Sequence, residues 1–188
     1  SHAASLQAGA KVVAPVAQAL GGEIYTDTQG MQPYSTPQAM GAADIEQATA
    51  EFAHSARLAV EAGFDGIELH AANGYLLEQF LNANVNTRDD AYGGSADKRN
   101  RFVLEVVRAT VAAIGADRVG IRLSPYGTNS GMVAYPELEE TYFKLLPLLA
   151  DAGLVYVHIV DHSAMGAPAL PATFKQAMRK AWPRTFFI

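Results

Sequence analysis

From residue 44 onward the chain alternates segments of helical period with short apolar runs of strand length, and this constrains the fold more than any other feature. Ile45, Ala48, Phe52, Ala56, Ala59 and Val60 recur at helical spacing, with Asp44 placed to cap the start and Gly63 in the position of a C′ glycine. Phe64 to His70 follows as a strand. Tyr75 to Ala83 reads as a short helix, Lys98 to Ile114 as a longer one, and Val119 to Ser124 as the next strand. Pro136 to Ala152 is helical, with Pro147 expected to kink or break it. Leu154 to Val160 is a third strand, Pro171 to Ala181 a helix, and Thr185 to Ile188 the opening of a fourth strand. Residues 1–41 are rich in Gly, Pro, Gln, Ser and Thr, with the short apolar runs Val12-Val13-Ala14 and Glu23-Ile24-Tyr25, and read as loop plus a β-hairpin insertion.

Strands that alternate with helices form parallel sheets, either doubly wound and open or closed into a barrel. No G-x-G-x-x-G turn follows any strand, so the dinucleotide-binding open sheet loses support and the α/β class narrows to a (β/α)8 TIM barrel. Such a barrel typically takes about 250 residues. The 188 residues here carry about four strands, lack an initiating Met and end within the apolar Phe186-Phe187-Ile188, so residues 1–188 are expected to be one partial barrel domain, 42–188 being its alternating part.

Composition narrows the function. The formal net charge is −5 with basic residues scattered, which gives no footprint for nucleic acid or an anionic membrane surface. No apolar run reaches the roughly 18 residues of a membrane span, no charged-then-apolar leader opens the chain, and cysteine is absent. A cytoplasmic protein acting on a small molecule is the expectation.

Three stretches can carry chemistry. In Ile67-Glu68-Leu69-His70-Ala71-Ala72-Asn73-Gly74-Tyr75, a histidine ends a strand, where barrel active sites lie, and Asn73 and Tyr75 follow in the loop. His70 and Asn73 can donate hydrogen bonds to a carbonyl or nitro oxygen, and the Tyr75 hydroxyl can deliver a proton. The plainer alternative is that His70 satisfies buried backbone groups and Asn73-Gly74 is only a turn. In Gly120-Ile121-Arg122-Leu123-Ser124-Pro125, strand alternation puts Gly120, Arg122 and Ser124 on one face. A guanidinium inside a barrel needs an acceptor-rich partner, either Glu68 in a structural ion pair or the ring edge of a cofactor.

The third stretch, Asn86 to Ser95 with Arg99, Arg101 and Phe102, explains itself mainly as local structure, with a Gly93-Gly94 turn and Ser95 as helix cap. His158, Asp161 and His162 at the third strand's end are raw material for a metal site, but too few for one. No metal is expected.

Taken together, His70 to Leu81, Asn86 to Ser95, Arg99 to Phe102 and Arg122-Leu123-Ser124-Pro125 closely resemble, in content, order and spacing, the central block of the Old Yellow Enzyme family of FMN-dependent ene-reductases. Ser1-His2 and Ala14-Pro15 resemble the segment after that family's third barrel strand, and Thr173-Phe174-Lys175 its helix before the seventh. Asp89 stands where Thr is usual and Lys98 where Asn is usual, neither at a chemical position.

The resemblance implies an NAD(P)H-dependent flavoprotein oxidoreductase that reduces activated C=C bonds, with FMN as cofactor. It implies that His70 and Asn73 bind the substrate's electron-withdrawing group, that Tyr75 protonates the α-carbon, and that Arg122 faces the flavin's pyrimidine edge, stabilising the charge of its reduced form. The family's flavin-binding Thr and Gln fall before Ser1 and its phosphate-binding loops after Ile188. The chain by itself is therefore expected not to hold FMN tightly, and to need the missing barrel segments, in cis or in trans, or a second copy of itself. Two rivals are a half-barrel without catalysis and a metal-dependent hydrolase using His158 and His162.

Overall fold

A computed structural model describes residues 2–7 and 9–188. Ser1, part of the N-terminal resemblance, lies outside the described residues. Among the described residues the N-terminal segment holds four short strands: β1 (Val13–Ala14), β2 (Glu23–Thr26), β3 (Gly30–Pro33) and β4 (Gln38–Ala39). β2 and β3 form the expected antiparallel hairpin. β1 pairs in parallel with β4, a contact between distant segments that local periodicity does not reveal.

The remainder follows the alternation: α1 (Ala42–Glu61), β5 (Ile67–Ala71), α2 (Leu76–Leu81), α3 (Ala96–Ile114), β6 (Val119–Leu123), α4 (Leu138–Asp151), β7 (Tyr156–Ile159), α5 (Ala172–Ala181) and β8 (Thr185–Phe187). β5 to β8 form one parallel sheet in sequence order. This is part of a (β/α)8 barrel wall.

Helix ends differ from the sequence reading in instructive ways. Asp44 is not the N-cap of α1; Gly41 is, and Asp44 sits in the first turn, its Oδ2 accepting from the Gly41 N–H at 2.8 Å. Gly41 has no side chain to return the bond, so one half of a capping box forms. At the other end Gly63, with φ +96°, donates to Val60 and Phe64 donates to Ala59, which is a Schellman closure at the expected glycine. Ser95 does occupy the N-cap of α3 but makes no side-chain capping bond. Pro147 does not break α4, which runs on through it. Its ring removes one backbone bond, while Leu145, Leu146 and Leu149 around it are fully buried and hold the helix to the sheet.

The two faces of the sheet divide the labour. Leu69, Ala71, Ile121, Leu123, Val157 and Ile159 point under the helices and are buried in one core with Leu77, Phe80, Phe102, Val106, Leu145 and Trp182. The Phe80 and Phe102 rings lie 4.5 Å apart across α2 and α3. On the opposite face stand Glu68, His70, Gly120, Arg122, Tyr156 and His158, none of them in that core. Alternation along four short strands therefore turns one face into packing and leaves the other for chemistry.

Candidate functional site

Parallel register makes rows across the chemical face. His70 is the Cα partner of Arg122, Arg122 of His158 and His158 of Phe187; the row before it holds Glu68 beside Gly120. Gly120 is required there by close approach, because a Cβ at this position would run into the Tyr156 ring. Burial and the Glu68 carboxylate push the Tyr156 hydroxyl up to about 12.

Glu68 does not pair with Arg122, the structural ion pair left open by the sequence. Its Oε2 instead lies 3.1 Å from His158 Nδ1, one row across the sheet. Arg122 Nε is buried with no hydrogen-bond partner among the described residues. A guanidinium in this condition fits an acceptor-rich edge such as the pyrimidine side of a flavin.

His70 is lowered from its ordinary value by burial first and by Arg122 second, with Glu68 opposing. At neutral pH it is therefore an uncharged imidazole with one N–H to give. Its ring centroid lies 5.1 Å from that of Tyr75, whose side chain is 59% exposed. Asn73 lies between them in the left-handed region at φ 60°, followed by Gly74 at φ 77°. Asn73 Oδ1 is buried without a partner among the described residues. Gly74 is needed twice over: for its positive φ, and because a Cβ would sit 2.5 Å from Ser130 Cβ. His70, Asn73 and Tyr75 thus gather at the end of β5, with Arg122 alongside on β6.

Two residues in this arrangement have roles the sequence reading missed. Ser124, just after β6, accepts the Asn73 N–H at 2.8 Å and donates to Glu78 Oε1 at 2.7 Å. Glu78 Oε2 accepts the Gly74 N–H at 2.6 Å, and the side chain is only 3% exposed. Burial raises Glu78 to about 7. The available signal was an acid lodged between Leu77, Phe80 and Leu81 on a helix whose apolar stripe is core.

The Asn86–Ser95 stretch is scaffolding, as its composition indicates. Asn86 Nδ2 donates at 2.7 Å to both the Phe80 and Tyr92 carbonyls, and Arg88 Nη1 donates at 2.7 Å to both the Pro15 and Met40 carbonyls. Arg99 donates to the carbonyls of Leu81 and Gly94 and to Thr141 Oγ1. The candidate metal residues diverge: His158 meets Glu68, Asp161 meets Lys175, and His162 meets Asn129. No group of three or more His, Asp or Glu able to hold a metal exists among the described residues. No helix there is long and apolar enough to cross a membrane.

A cavity of about 710 Å³ opens between the N-terminal segment and the loops beyond β5 and β6, with Val13, Leu20, Tyr34 and Met132 on its wall. Tyr75 and Gly74 border it, while His70, Asn73 and Arg122 do not. Tyr75 therefore stands between this hollow and the polar row on the sheet.

The profile of the NADH:flavin oxidoreductase / NADH oxidase family matches residues 3–180. The chain belongs to that family. Among curated relatives, chanoclavine-I aldehyde reductase fgaOx3 of Penicillium roqueforti is 47% identical over 157 residues, covering 80% of this chain and 42% of the relative. Putative 12-oxophytodienoate reductase 4 of Oryza sativa subsp. japonica is 43% identical over 139 residues, covering 74% and 36%. Of solved structures, morphinone reductase superposes with a TM-score of 0.90 at 36% identity, covering 99% of this chain and 51% of that one. An Old Yellow Enzyme homologue from Zymomonas mobilis gives 0.86 at 29% identity, covering 95% and 50%. The chain thus spans less than half the length of these curated relatives and about half that of the solved structures. Membership of this family is what the four matching motifs imply.

Proposed function

We propose that the protein is an NAD(P)H-dependent FMN ene-reductase acting on activated alkenes, α,β-unsaturated carbonyl or nitro compounds. One observation carries the reading: a neutral imidazole and a phenol meet at the end of β5 with a carboxamide on the turn between them, and beside them stands a half-buried arginine whose buried Nε has no partner among the described residues. Arg122 would hold the flavin's pyrimidine edge. FMN, held there, would supply the hydride for the alkene β-carbon, with NAD(P)H as the reductant. A solved morphinone reductase complex with tetrahydroNAD supports a nicotinamide as reductant.

The residues of this chain do the rest. His70, neutral, donates one N–H to the substrate oxygen, and the Asn73 amide donates a second. Two donors aimed at that oxygen stabilise the negative charge it gains as hydride arrives. The Tyr75 hydroxyl gives its proton to the α-carbon and, being exposed, recovers one from solvent. A cytoplasmic location is part of the proposal; the cysteine-free composition of these residues is compatible with a reducing compartment.

The complete protein, loaded with FMN, is expected to oxidise NADPH in the presence of 2-cyclohexenone and to yield the saturated ketone. A flavin-loaded protein whose NADPH oxidation is indifferent to the enone would overturn the reading. A second proposal concerns residues 1–188 alone. β5 and β8 are open edges of the described sheet, so these residues need further barrel segments, or another copy, and lose FMN on dialysis. Retention of yellow colour through extensive dialysis contradicts that.

A further inference from the structure

We propose that Glu78 is a positioning residue of the site: by holding Gly74 and Ser124 it fixes the left-handed Asn73–Gly74 turn, and it does so more firmly as a carboxylate than as a neutral acid. The inference rests on the reading of Asn73 as a substrate ligand.

The connections form a closed loop. Asn73 N–H donates to Ser124 Oγ, Ser124 donates to Glu78 Oε1, and Gly74 N–H donates to Glu78 Oε2. The two bonds to the carboxylate are short, 2.7 and 2.6 Å. One carboxylate on α2 therefore ties two consecutive residues of the site loop, one directly and one through the residue after β6. The tie adds to a local preference, because Asn73 occupies φ 60°, a region that Asn tolerates better than other non-glycine residues but does not require. The tie selects that conformation and with it the direction of the Asn73 amide.

The environment of Glu78 makes its charge adjustable. Tyr142 on α4 is packed close enough to feel it, and is itself raised well above its ordinary value by burial first and by Glu78 second. Tyr135, just before α4, also feels the carboxylate, while its hydroxyl donates to the Leu81 carbonyl at 3.2 Å. From α3, Arg99 is engaged by Leu81, Gly94 and Thr141. No salt-bridge cation reaches Glu78 among the described residues. Burial without a cation raises it to about 7, so both protonation states are accessible near neutrality.

The two states differ in what they do to Asn73. As a carboxylate, Glu78 draws the Ser124 hydroxyl proton, which makes Ser124 Oγ a better acceptor for the Asn73 N–H. As an acid, Glu78 must place its own proton on one oxygen. Gly74 N–H is fixed by the backbone and keeps its acceptor, so the proton lies toward Ser124, whose hydroxyl swings away. The bond to Asn73 weakens, and grip on the substrate oxygen weakens with it.

The test uses the complete flavoprotein without reductant, titrated with 2-cyclohexenone and followed by the change in flavin absorbance. In wild type, Kd is expected to fall about five- to tenfold from pH 6 to pH 8, the size of one modest hydrogen bond. In Glu78→Gln and in Ser124→Ala it is expected to be flat. Infrared difference spectra should show a neutral carboxyl band that fades over the same range in wild type and in Ser124→Ala and is missing in Glu78→Gln. The Ser124 variant leaves Glu78 in place and cuts only the link. Enone binding with one pH profile shared by all three proteins, or no titrating band in wild type, overturns the role of Glu78. Wild type that binds no enone at any pH overturns the ene-reductase reading itself, and the positioning role with it.

Discussion

Arg122 lies beside His70 across the β5–β6 ladder, and its Nε is buried without a partner among the described residues. The pair places a fixed positive charge next to an imidazole that it helps keep neutral. One residue is thus prepared to donate a hydrogen bond without carrying charge, while the other waits for an acceptor the described chain does not supply.

Arg122→Met in the complete protein is expected to weaken FMN binding by about 1.5–3 kcal/mol, roughly ten- to a hundredfold in Kd. Stability of the flavin-free protein should hold or improve, since a buried donor without a protein partner is removed. Fluorescence titration with FMN and urea unfolding of the apoprotein check the two halves. Unchanged FMN affinity would refute the assignment.

Tyr75→Phe is expected to lower kcat for enone reduction by about a hundredfold or more while leaving enone binding nearly unchanged. Stability should move by less than about 0.5 kcal/mol, because the side chain is largely exposed. Steady-state kinetics against an inert-binding titration separates the two effects. Equal loss in binding and turnover points to a packing role.

Glu78 gives a pH dependence of stability whose sign follows from its raised value. In the unfolded chain it loses its proton near 4.5, in the folded one only near 7. Between those values the native state holds a proton that the unfolded state has released, so stability falls as pH rises through the window. The loss is complete above about 7 and amounts to something on the order of 3 kcal/mol. Urea unfolding at pH 5 and pH 8 should show this drop in wild type and a much smaller one in Glu78→Gln. Parallel curves for the two proteins would contradict it.

Gly120→Ala is expected to destabilise the protein by about 1–3 kcal/mol, because the added methyl meets the Tyr156 ring. In a Tyr156→Val background the same substitution should cost far less. A double-mutant cycle by denaturant unfolding measures the coupling, and additive effects would show that the ring is free to move aside.

Much of the fold was legible along the chain because its signals are local. Helical spacing with Gly63 marked α1 and its end, and apolar runs marked β5 to β8. The failures were local as well: Asp44 was one turn position inside its helix, and Pro147 was outvoted by leucines buried on either side. The candidate site was legible as a roster, since His70, Asn73, Tyr75 and Arg122 stand in motifs. Their connections were not. Nothing in the order of residues says that Glu68 pairs with His158 and leaves Arg122 alone, or that Ser124 and Glu78 bind the Asn73–Gly74 turn.

By itself the sequence determined the alternation of helix and strand, the face on which each strand residue lies, and the family to which the motifs belong. Those properties depend on periods of two and of 3.6 residues and on short motifs, all carried by near neighbours. Tertiary structure alone decided register, partner choice and ionisation. These depend on which strand slides against which, and on how far each group is taken out of water by residues distant in sequence.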